Sequence, residues 1–351
     1  MISKDKINKI LEEYNPKKTC IATVCSHSAL QIFHGARREG VKTIGICTEK
    51  RKKVYDAFPL AKPDEYIIVD DPREIPVDEL VSKNAVVIPH GSLVEYTGKK
   101  IDELAVPIFG NRMSLWWERE RSKMFQWMEA AGLEVPAIIK PDDIDRPCIV
   151  KLPGAKGGMG YIIVNSSDEF YEKVSDENVD KVMVQEYLLG VRAYPHYFYS
   201  PLTKDGYRAA EGVVELMSFD RRVESTIDES YRGTLAGIDV KPSFSVMGNE
   251  PLVLRESLLG EVLEMGKNVT EAADKLFGGI PGPFCIETIC DENLQFYAFE
   301  ISARIVAGTN LYPDGSPYST YLYKDPMSTG SRIALEIKKA AKAGKLAKVV
   351  F

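Results

Sequence analysis

Two glutamates on neighbouring strand-like segments are the first candidates for chemistry. Glu287 lies in Pro283-Phe284-Cys285-Ile286-Glu287, and Glu300 lies in Phe296-Tyr297-Ala298-Phe299-Glu300-Ile301, with the turn-forming Asp291-Glu292-Asn293 between them. A two-residue turn at Glu292-Asn293 sets Glu300 opposite Cys285, so the spacing predicts that the two carboxylates are diagonal neighbours on one face of a hairpin. Carboxylates flanked by apolar residues are costly to bury unless they are protonated or share a cation. A hard divalent ion that also binds phosphate oxygens suits such a pair: Mg2+, with Mn2+ as the alternative. Arg304 follows in Ile301-Ser302-Ala303-Arg304. Its fork can clamp a carboxylate or an acyl phosphate through two parallel hydrogen bonds, although read alone it also fits a surface arginine.

A second group of residues suits phosphate. Lys151 ends the strand-like Ile149-Val150-Lys151 and precedes Leu152-Pro153-Gly154-Ala155-Lys156-Gly157-Gly158-Met159-Gly160. Four glycines in seven residues between two strands make a hairpin whose backbone N–H groups can close over phosphate oxygens, with Lys156 at its tip to meet their charge. No Gly-Lys-Ser/Thr opens a helix here, so the segment is not a P-loop. Taken alone it is also compatible with a surface hairpin. Further on, Val184-Gln185-Glu186-Tyr187-Leu188-Leu189-Gly190 ends a strand in a carboxylate and an aromatic ring. Its backbone can pair with a purine while Tyr187, Leu188 and Leu189 pack on the ring face, or it is simply a strand end. His27 in Ser26-His27-Ser28 and His90 in His90-Gly91-Ser92 each follow a strand and stand beside small hydroxyl residues, which points toward a phosphate or purine-precursor ligand. His34 and His196 have no such setting, and His196 reads as strand interior.

These residues need a scaffold, and the hydrophobic pattern supplies one. Residues 2–14 read as a helix, Thr19 to Cys25 as an apolar strand, Ala29 to Glu39 as a helix stopped by Gly40, and Val41 to Cys47 as a second strand. Further strands are expected at 65–69, 85–88 and 107–109. This alternation predicts a parallel sheet with helices on its faces and ligands beyond the carboxyl ends of its strands, where Ser26-His27-Ser28 and His90-Gly91-Ser92 lie. A helical stretch covers 114–131. Strands at 148–151, 161–164 and 182–185 enclose a helix at 168–174, and two late helices are expected at 258–276 and 332–343. The division expected from this pattern is 1–112, 113–205 and 206–351.

Composition narrows the function classes. A formal net charge of −6 argues against a broad nucleic-acid surface but not against a nucleotide pocket. No apolar run reaches the roughly 18 residues that span a bilayer, and Met1 to Pro16 is charged, without an apolar signal core. A cytoplasmic protein with no membrane or nucleic-acid partner is expected. The six cysteines form no Cys-x-x-Cys pair and read as buried free thiols.

In this order the motifs resemble an α/β ATP-grasp fold with an N-terminal Rossmann-like domain. The blocks SHSALQIFHGARREG, VVIPHGSL, VPIFGNR, LWWERERS, VKLPGAKGGMGY, QEYLLGV, MSFDRRVES, GNEPLVLRESLL, GPFCIE, FEISARIVAGTN and STGSRIALEI resemble, across nearly the whole chain, the archaeal PurP family of formate-dependent 5-formamidoimidazole-4-carboxamide ribonucleotide (FAICAR) synthetases. The resemblance implies a carbon–nitrogen ligase of purine biosynthesis. ATP would phosphorylate formate, and the amine of the ribonucleotide AICAR would attack the formyl phosphate, giving FAICAR, ADP and phosphate. It also implies roles. His27, Ser92 and Asn249 match AICAR contacts, and Ser28, Asn111 and Arg112 are grouped with them as substrate residues. Glu224 matches an ATP contact, as do Lys151, the loop Gly154, Lys156, Gly157, Gly158 and Gly160, and the adenine hinge Glu186, Tyr187, Leu188 and Leu189. Glu287 and Glu300 match Mg2+ ligands, with Arg304 and Lys156 as catalytic groups. A homo-oligomer is expected. One stretch departs from the pattern: Thr226 to Val246 is shorter than in the family and lacks its basic pair, which fits a related ligase with another acid or amine. A purine-nucleotide sensor without catalysis is the remaining alternative, and the two metal-type carboxylates argue against it.

Overall fold

The computed structural model describes residues 1–156, 159–238, 240, 243 and 245–351, with side chains described except at 153–160 and 227. Its first part is a parallel sheet in the order Glu65–Ile68, Thr43–Cys47, Cys20–Val24, Ala85–Val87, and Ile108 adds a parallel bridge to Val87. Cys20–Val24 and Thr43–Cys47 are buried along their whole length, as strands covered on both faces must be. The first strand has the second on one side and the fourth on the other. Their carboxyl ends therefore open a crevice at a topological switch point, where Ser26, His27 and His90 sit.

A small antiparallel sheet follows, ordered Met159–Val164, Cys148–Lys156, Met183–Glu186. It has its own core of Cys148, Val150, Val164, Phe170 and Val184. The third sheet is larger. Val246–Pro251, Gly212–Glu224, Val191–Ser200, Gly282–Cys290 and Phe296–Ser302 run side by side, and Tyr207–Ala209 pairs with Gly212–Glu224. Val191–Ser200 thus belongs with the later strands. The sheets divide after Glu186 rather than at 205, because this strand finds both of its antiparallel partners downstream. The stretch expected as one helix at 114–131 is two, Arg112–Arg119 and Arg121–Ala130, broken where Glu120 takes an extended ψ of 101°. All six cysteines are buried and free. Among the described residues no helix is long and apolar enough to cross a membrane.

The late helix Thr329–Lys342 returns to pack on Ala29–Arg38 of the first part. The two helices meet backbone to backbone. A Cβ on Gly35 would overlap the backbone of Gly330 and Ser331, and one on Gly330 would overlap the Gln31 carbonyl. The same helix carries Arg332, which is fully buried and donates to Glu215 (2.8 and 3.1 Å) on the large sheet and to Glu336 (2.7 Å). One helix therefore ties the large sheet to the parallel sheet.

This contact is testable. Gly330→Ala should destabilise the protein by about 2 kcal/mol or more, as overpacking against unyielding backbone does. Gly260→Ala, in a helix where an added Cβ meets nothing, should be neutral or stabilising. Urea midpoints at constant slope measure both, and equal midpoints for the two variants would refute the contact.

Candidate functional site

The three sheets enclose a cavity of about 370 Å3, the size of a small-molecule site. The small sheet contributes Ile149, Lys151, Tyr161, Gln185 and Glu186. The large sheet contributes Arg192, Tyr194, Arg222, Glu224, Asn249, Glu287, Ile289 and Glu300. His27 reaches in from the parallel sheet.

The large sheet makes its wall through strand alternation. Arg192 and Tyr194, Arg222 and Glu224, and Glu287 and Ile289 are each two residues apart and share the inner face. Glu287 and Glu300 are direct cross-strand partners, not diagonal ones. Two features missed by the simple turn count produce this. The connection spans five residues, 291–295, and the register shifts between Glu287 and Thr288, so that Phe299 is an extra residue on its strand. This bulge lets Phe299 and Glu300 both line the cavity.

Charge is arranged tightly around this pair. Arg222 donates to both oxygens of Glu287, at 2.6 and 2.9 Å, and lies 4.2 Å above the Tyr194 ring. Burial, and then the neighbouring Glu287, push the Glu300 carboxyl up to about 7. Burial pulls the Lys151 ammonium down to about 8 against the opposing pull of Glu300. Arg304 pairs with Glu118 at 3.3 Å, while its Nε is buried with no partner among the described residues. Glu118 also accepts the Ala303 N–H at 2.8 Å, so it fixes both the side chain and the chain direction at Arg304. Gln185 is buried on the cavity wall, with its Nε2 likewise unpartnered among the described residues.

The sequence-designated residues fall into three sets. Lys151, Glu186, Tyr187, Leu188, Glu224, Asn249, Glu287, Glu300, Arg304 and His27 all line the one cavity. Glu224 is ion-paired there with Arg192. Leu189 is exposed at the hinge. Gly154, Lys156 and Gly160 lie on the paired strands of the small sheet, their side chains outside the description, and Gly157 and Gly158 lie outside the described residues.

A second set sits at the crevice of the parallel sheet. His27 adopts a positive φ of 52°, and its Nδ1 pairs with Ser28 Oγ at 2.8 Å. Surrounding protein, and then the Arg304 charge, hold its ring neutral, well below the ordinary imidazole range. Ser28 is itself buried. Ser92 Oγ accepts from Ser26 Oγ at 3.0 Å. Arg51, which the sequence reading passed over, donates to Tyr96 (2.9 Å) and to the Cys25 carbonyl (3.1 Å) beside them.

A third set is structural. Arg112 is fully buried and donates to the carbonyls of Phe351, Ile101 and Val106, so it cannot reach a substrate. Asn111 caps a helix through the Met113 N–H and donates to the carbonyls of Phe277 and Gly279. His90 also caps a helix: its Nδ1 accepts the Leu93 N–H, its Nε2 pairs with the Val24 carbonyl, and its ring stacks on His27 with centroids 5.4 Å apart. His90 supports the site from behind.

The residues could hold a nucleotide together with a divalent cation. Two facing carboxylates on a buried wall supply hard oxygen donors, Ser302 Oγ lies 3.4 Å from Glu287, and the raised Glu300 carboxyl marks negative charge held without full compensation. Arg222 pairs with Glu287 across the intervening strand Val191–Ser200. Lys151 and the hinge residues Glu186, Tyr187 and Leu188 line the same cavity, a cation for phosphate beside a strand end for a purine.

Comparison with known proteins identifies the family. Family models described as a "Protein of unknown function (DUF1246)" and a "Domain of unknown function (DUF1297)" match residues 21–139 and 166–351. A protein of Methanococcoides burtonii named 5-formaminoimidazole-4-carboxamide-1-(beta)-D-ribofuranosyl 5'-monophosphate synthetase is 52% identical, over 99% of both chains. One of the same name from Pyrococcus horikoshii is 48% identical over 94% of this chain and 99% of its own. The crystal structure of the IMP biosynthesis protein PurP from Thermococcus kodakaraensis superposes with a TM-score of 0.75 at 29% identity, covering 94% of this chain and all of that one. The ADP complex of an N5-carboxyaminoimidazole ribonucleotide synthetase, 12% identical, shares the fold at a TM-score of 0.64 over 93% of this chain and 78% of its own. With full-length relatives near half identity and the same fold in a solved member, the chain belongs to the PurP family of 5-formaminoimidazole-4-carboxamide ribonucleotide synthetases, in the ATP-grasp fold.

Proposed function

We propose that this chain is a cytoplasmic ATP-dependent ligase that joins formate to the amine of 5-aminoimidazole-4-carboxamide ribonucleotide. The observation that carries the reading is one cavity in which Glu287 and Glu300 face each other, with Lys151 and Arg304 at their edges and His27 and Asn249 entering from the ribonucleotide side. The relatives' names specify the product, whose formyl group sits on the amine of the proposed substrate; the cavity supports the chemistry.

Lys151 and the hinge would hold ATP across the small sheet. Glu287 and Glu300 would hold Mg2+, which, when bound, neutralises charge on the phosphates. Formate oxygen attacks the γ-phosphorus, ADP leaves, and the acyl phosphate forms beside Arg304, whose unpaired Nε is a ready donor to its oxygens. The ribonucleotide amine, held from the His27 side, then attacks the formyl carbon, loses a proton and expels inorganic phosphate. Much of the acceleration comes from holding three reactants in line in a space this small.

Incubation with Mg-ATP, formate and the ribonucleotide should release ADP and phosphate in equal amounts with the formylated product. Bound nucleotide without ADP release across these substrates would overturn the reading.

Glu287→Gln and Glu300→Gln should each lower turnover at least about a hundredfold, since charge neutralisation at transferring phosphates contributes several kcal/mol. Glu300→Gln should not lose stability at pH 8. A carboxyl raised from 4.5 to about 7 destabilises the fold increasingly as pH climbs through that interval, and fully above it, so a neutral residue removes the cost. Thermal melts at pH 5 and pH 8 check the sign. Normal turnover in either variant would remove the metal assignment.

Lys151 gives a pH signature. Its ammonium, lowered to about 8 in the free protein, must be charged to meet phosphate. Nucleotide affinity should therefore fall by up to about tenfold per pH unit above 8, with proton uptake on binding. Calorimetry in two buffers of different ionisation enthalpy measures this, and Lys151→Arg, always charged, should abolish the dependence. A pH-independent wild type would refute it.

A further inference from the structure

Behind the ribonucleotide side of the cavity lies a polar chain that the mechanism above does not use. His196, Ser218 and Asp220 are 1%, 2% and 0% exposed. His196 Nδ1 pairs with Ser218 Oγ at 2.7 Å, and its Nε2 pairs with Asp220 Oδ1 at 2.7 Å. The other Asp220 oxygen, Oδ2, accepts from Asn249 Nδ2 at 2.6 Å. Asn249 alone of the four lines the cavity.

Sheet register builds this chain. Ser218 stands opposite His196, and Arg222 stands opposite Asn249. Asp220, midway between them on the same face of its strand, is therefore diagonal to both partners. Gly308 covers it from the short 3-10 helix Ala307–Leu311 beyond Arg304, where a Cβ would overlap the carboxylate.

We infer that Asp220, gripped by His196, is a positioning residue that turns Asn249 so that its carboxamide oxygen faces the cavity, which makes Asn249 an acceptor selective for an N–H or O–H donor of the ribonucleotide. An ionised carboxylate only accepts hydrogen bonds. The Asn249 NH2 must therefore point at Asp220, because the reversed amide would set two oxygens at 2.6 Å in a buried place. With one donor from His196 and one from Asn249, each Asp220 oxygen is satisfied, and the amide has a single orientation before any ligand arrives. A site that offers a buried acceptor rejects ligands without the matching donor far more strongly than an apolar wall does. This inference rests on the ribonucleotide reading and names the polarity of that subsite.

Asp220→Asn keeps the shape and lets the new NH2 point at Asn249, which then flips and presents its own NH2 to the cavity. Steady-state kinetics should show KM for the ribonucleotide raised tenfold or more, with KM for ATP and formate within twofold. Asn249→Ala should show the same selective loss, and the double variant should lose no more than Asn249→Ala alone. In the ligand-free protein labelled with 15N-asparagine, the Asn249 side-chain NH2, identified by its absence in Asn249→Ala, should exchange slowly in the wild type and at least tenfold faster in Asp220→Asn. An unchanged ribonucleotide KM, equal losses for ATP and ribonucleotide, additive losses in the double variant, or unaltered amide exchange would each overturn the inference. Should Asp220→Asn fail to fold, the kinetics of Asn249→Ala and the wild-type exchange rate still decide it. Absence of ribonucleotide turnover in the wild type would sink the functional reading, whereas the exchange measurement judges the Asn249 orientation independently.

Discussion

Two carboxylates facing one another across a β-ladder, on the wall of the cavity, are the constraint around which this molecule is arranged. Like charges at such range repel by several kcal/mol unless something intervenes. In the ligand-free protein three answers coexist. Arg222 takes Glu287 with both arms, Glu300 holds its proton up to about 7, and Lys151 gives up some of its own charge, titrating near 8. The last two shifts run in opposite senses from a common cause, burial. A divalent cation would draw Glu300 back to its charged form, and phosphates would do the same for Lys151.

Backbone geometry delivers those charges to one point. Period-two alternation brings Arg192, Tyr194 and His196 to one face of a strand, Asp220, Arg222 and Glu224 to the same face of its neighbour, and Glu287 and Ile289 to that of the next. The bulge at Phe299 departs from this alternation: it puts two consecutive residues on the inner face and draws Glu300 level with Glu287. Without it, the parity of the hairpin would leave the second carboxylate one step out of register.

Much of this was legible in the sequence, for identifiable reasons. Strand–helix alternation up to residue 88 gave the parallel sheet and its ligand-bearing edge, because apolar β-branched runs between glycine and asparagine breaks admit few other readings. Glu287, Glu300, Lys151 and Arg304 stood out because charged residues amid apolar strands need a partner. What escaped depends on long-range geometry. Glu118 belongs to a helical stretch in which nothing marks it out, and only the fold brings it against Arg304. His196 reads as strand interior, which it is, yet its partner lies 24 residues away. Arg112 and His90 show the reverse: they sit within motifs that suggest ligands, and they serve carbonyl groups and helix caps instead. A motif marks a neighbourhood. Which of its side chains face inward is decided by tertiary packing.

The segment that leaves Glu300 binds the two halves of the reaction together. It runs through Arg304, pairs Ile305 with His90 as a parallel bridge, and places Val306 where its carbonyl accepts from Ser28. Asn310 then donates to the His27 carbonyl, and Thr309 meets Gln31 on the helix that follows His27. Arg304 is thus held by the strand that carries Glu300 before it and by the bridge to His90 after it, with Glu118 fixing its direction. An intermediate formed beside Arg304 would lie where the two ligand sites meet, so it need not diffuse to be consumed. The backbone contact of Gly35 with Gly330 acts at the same joint, since it sets the helix that begins two residues after His27 against the rest of the chain. A shift of that helix would move the amine relative to the acyl phosphate, and displacement of about an ångström between reacting groups is enough to forfeit much of the rate that positioning provides.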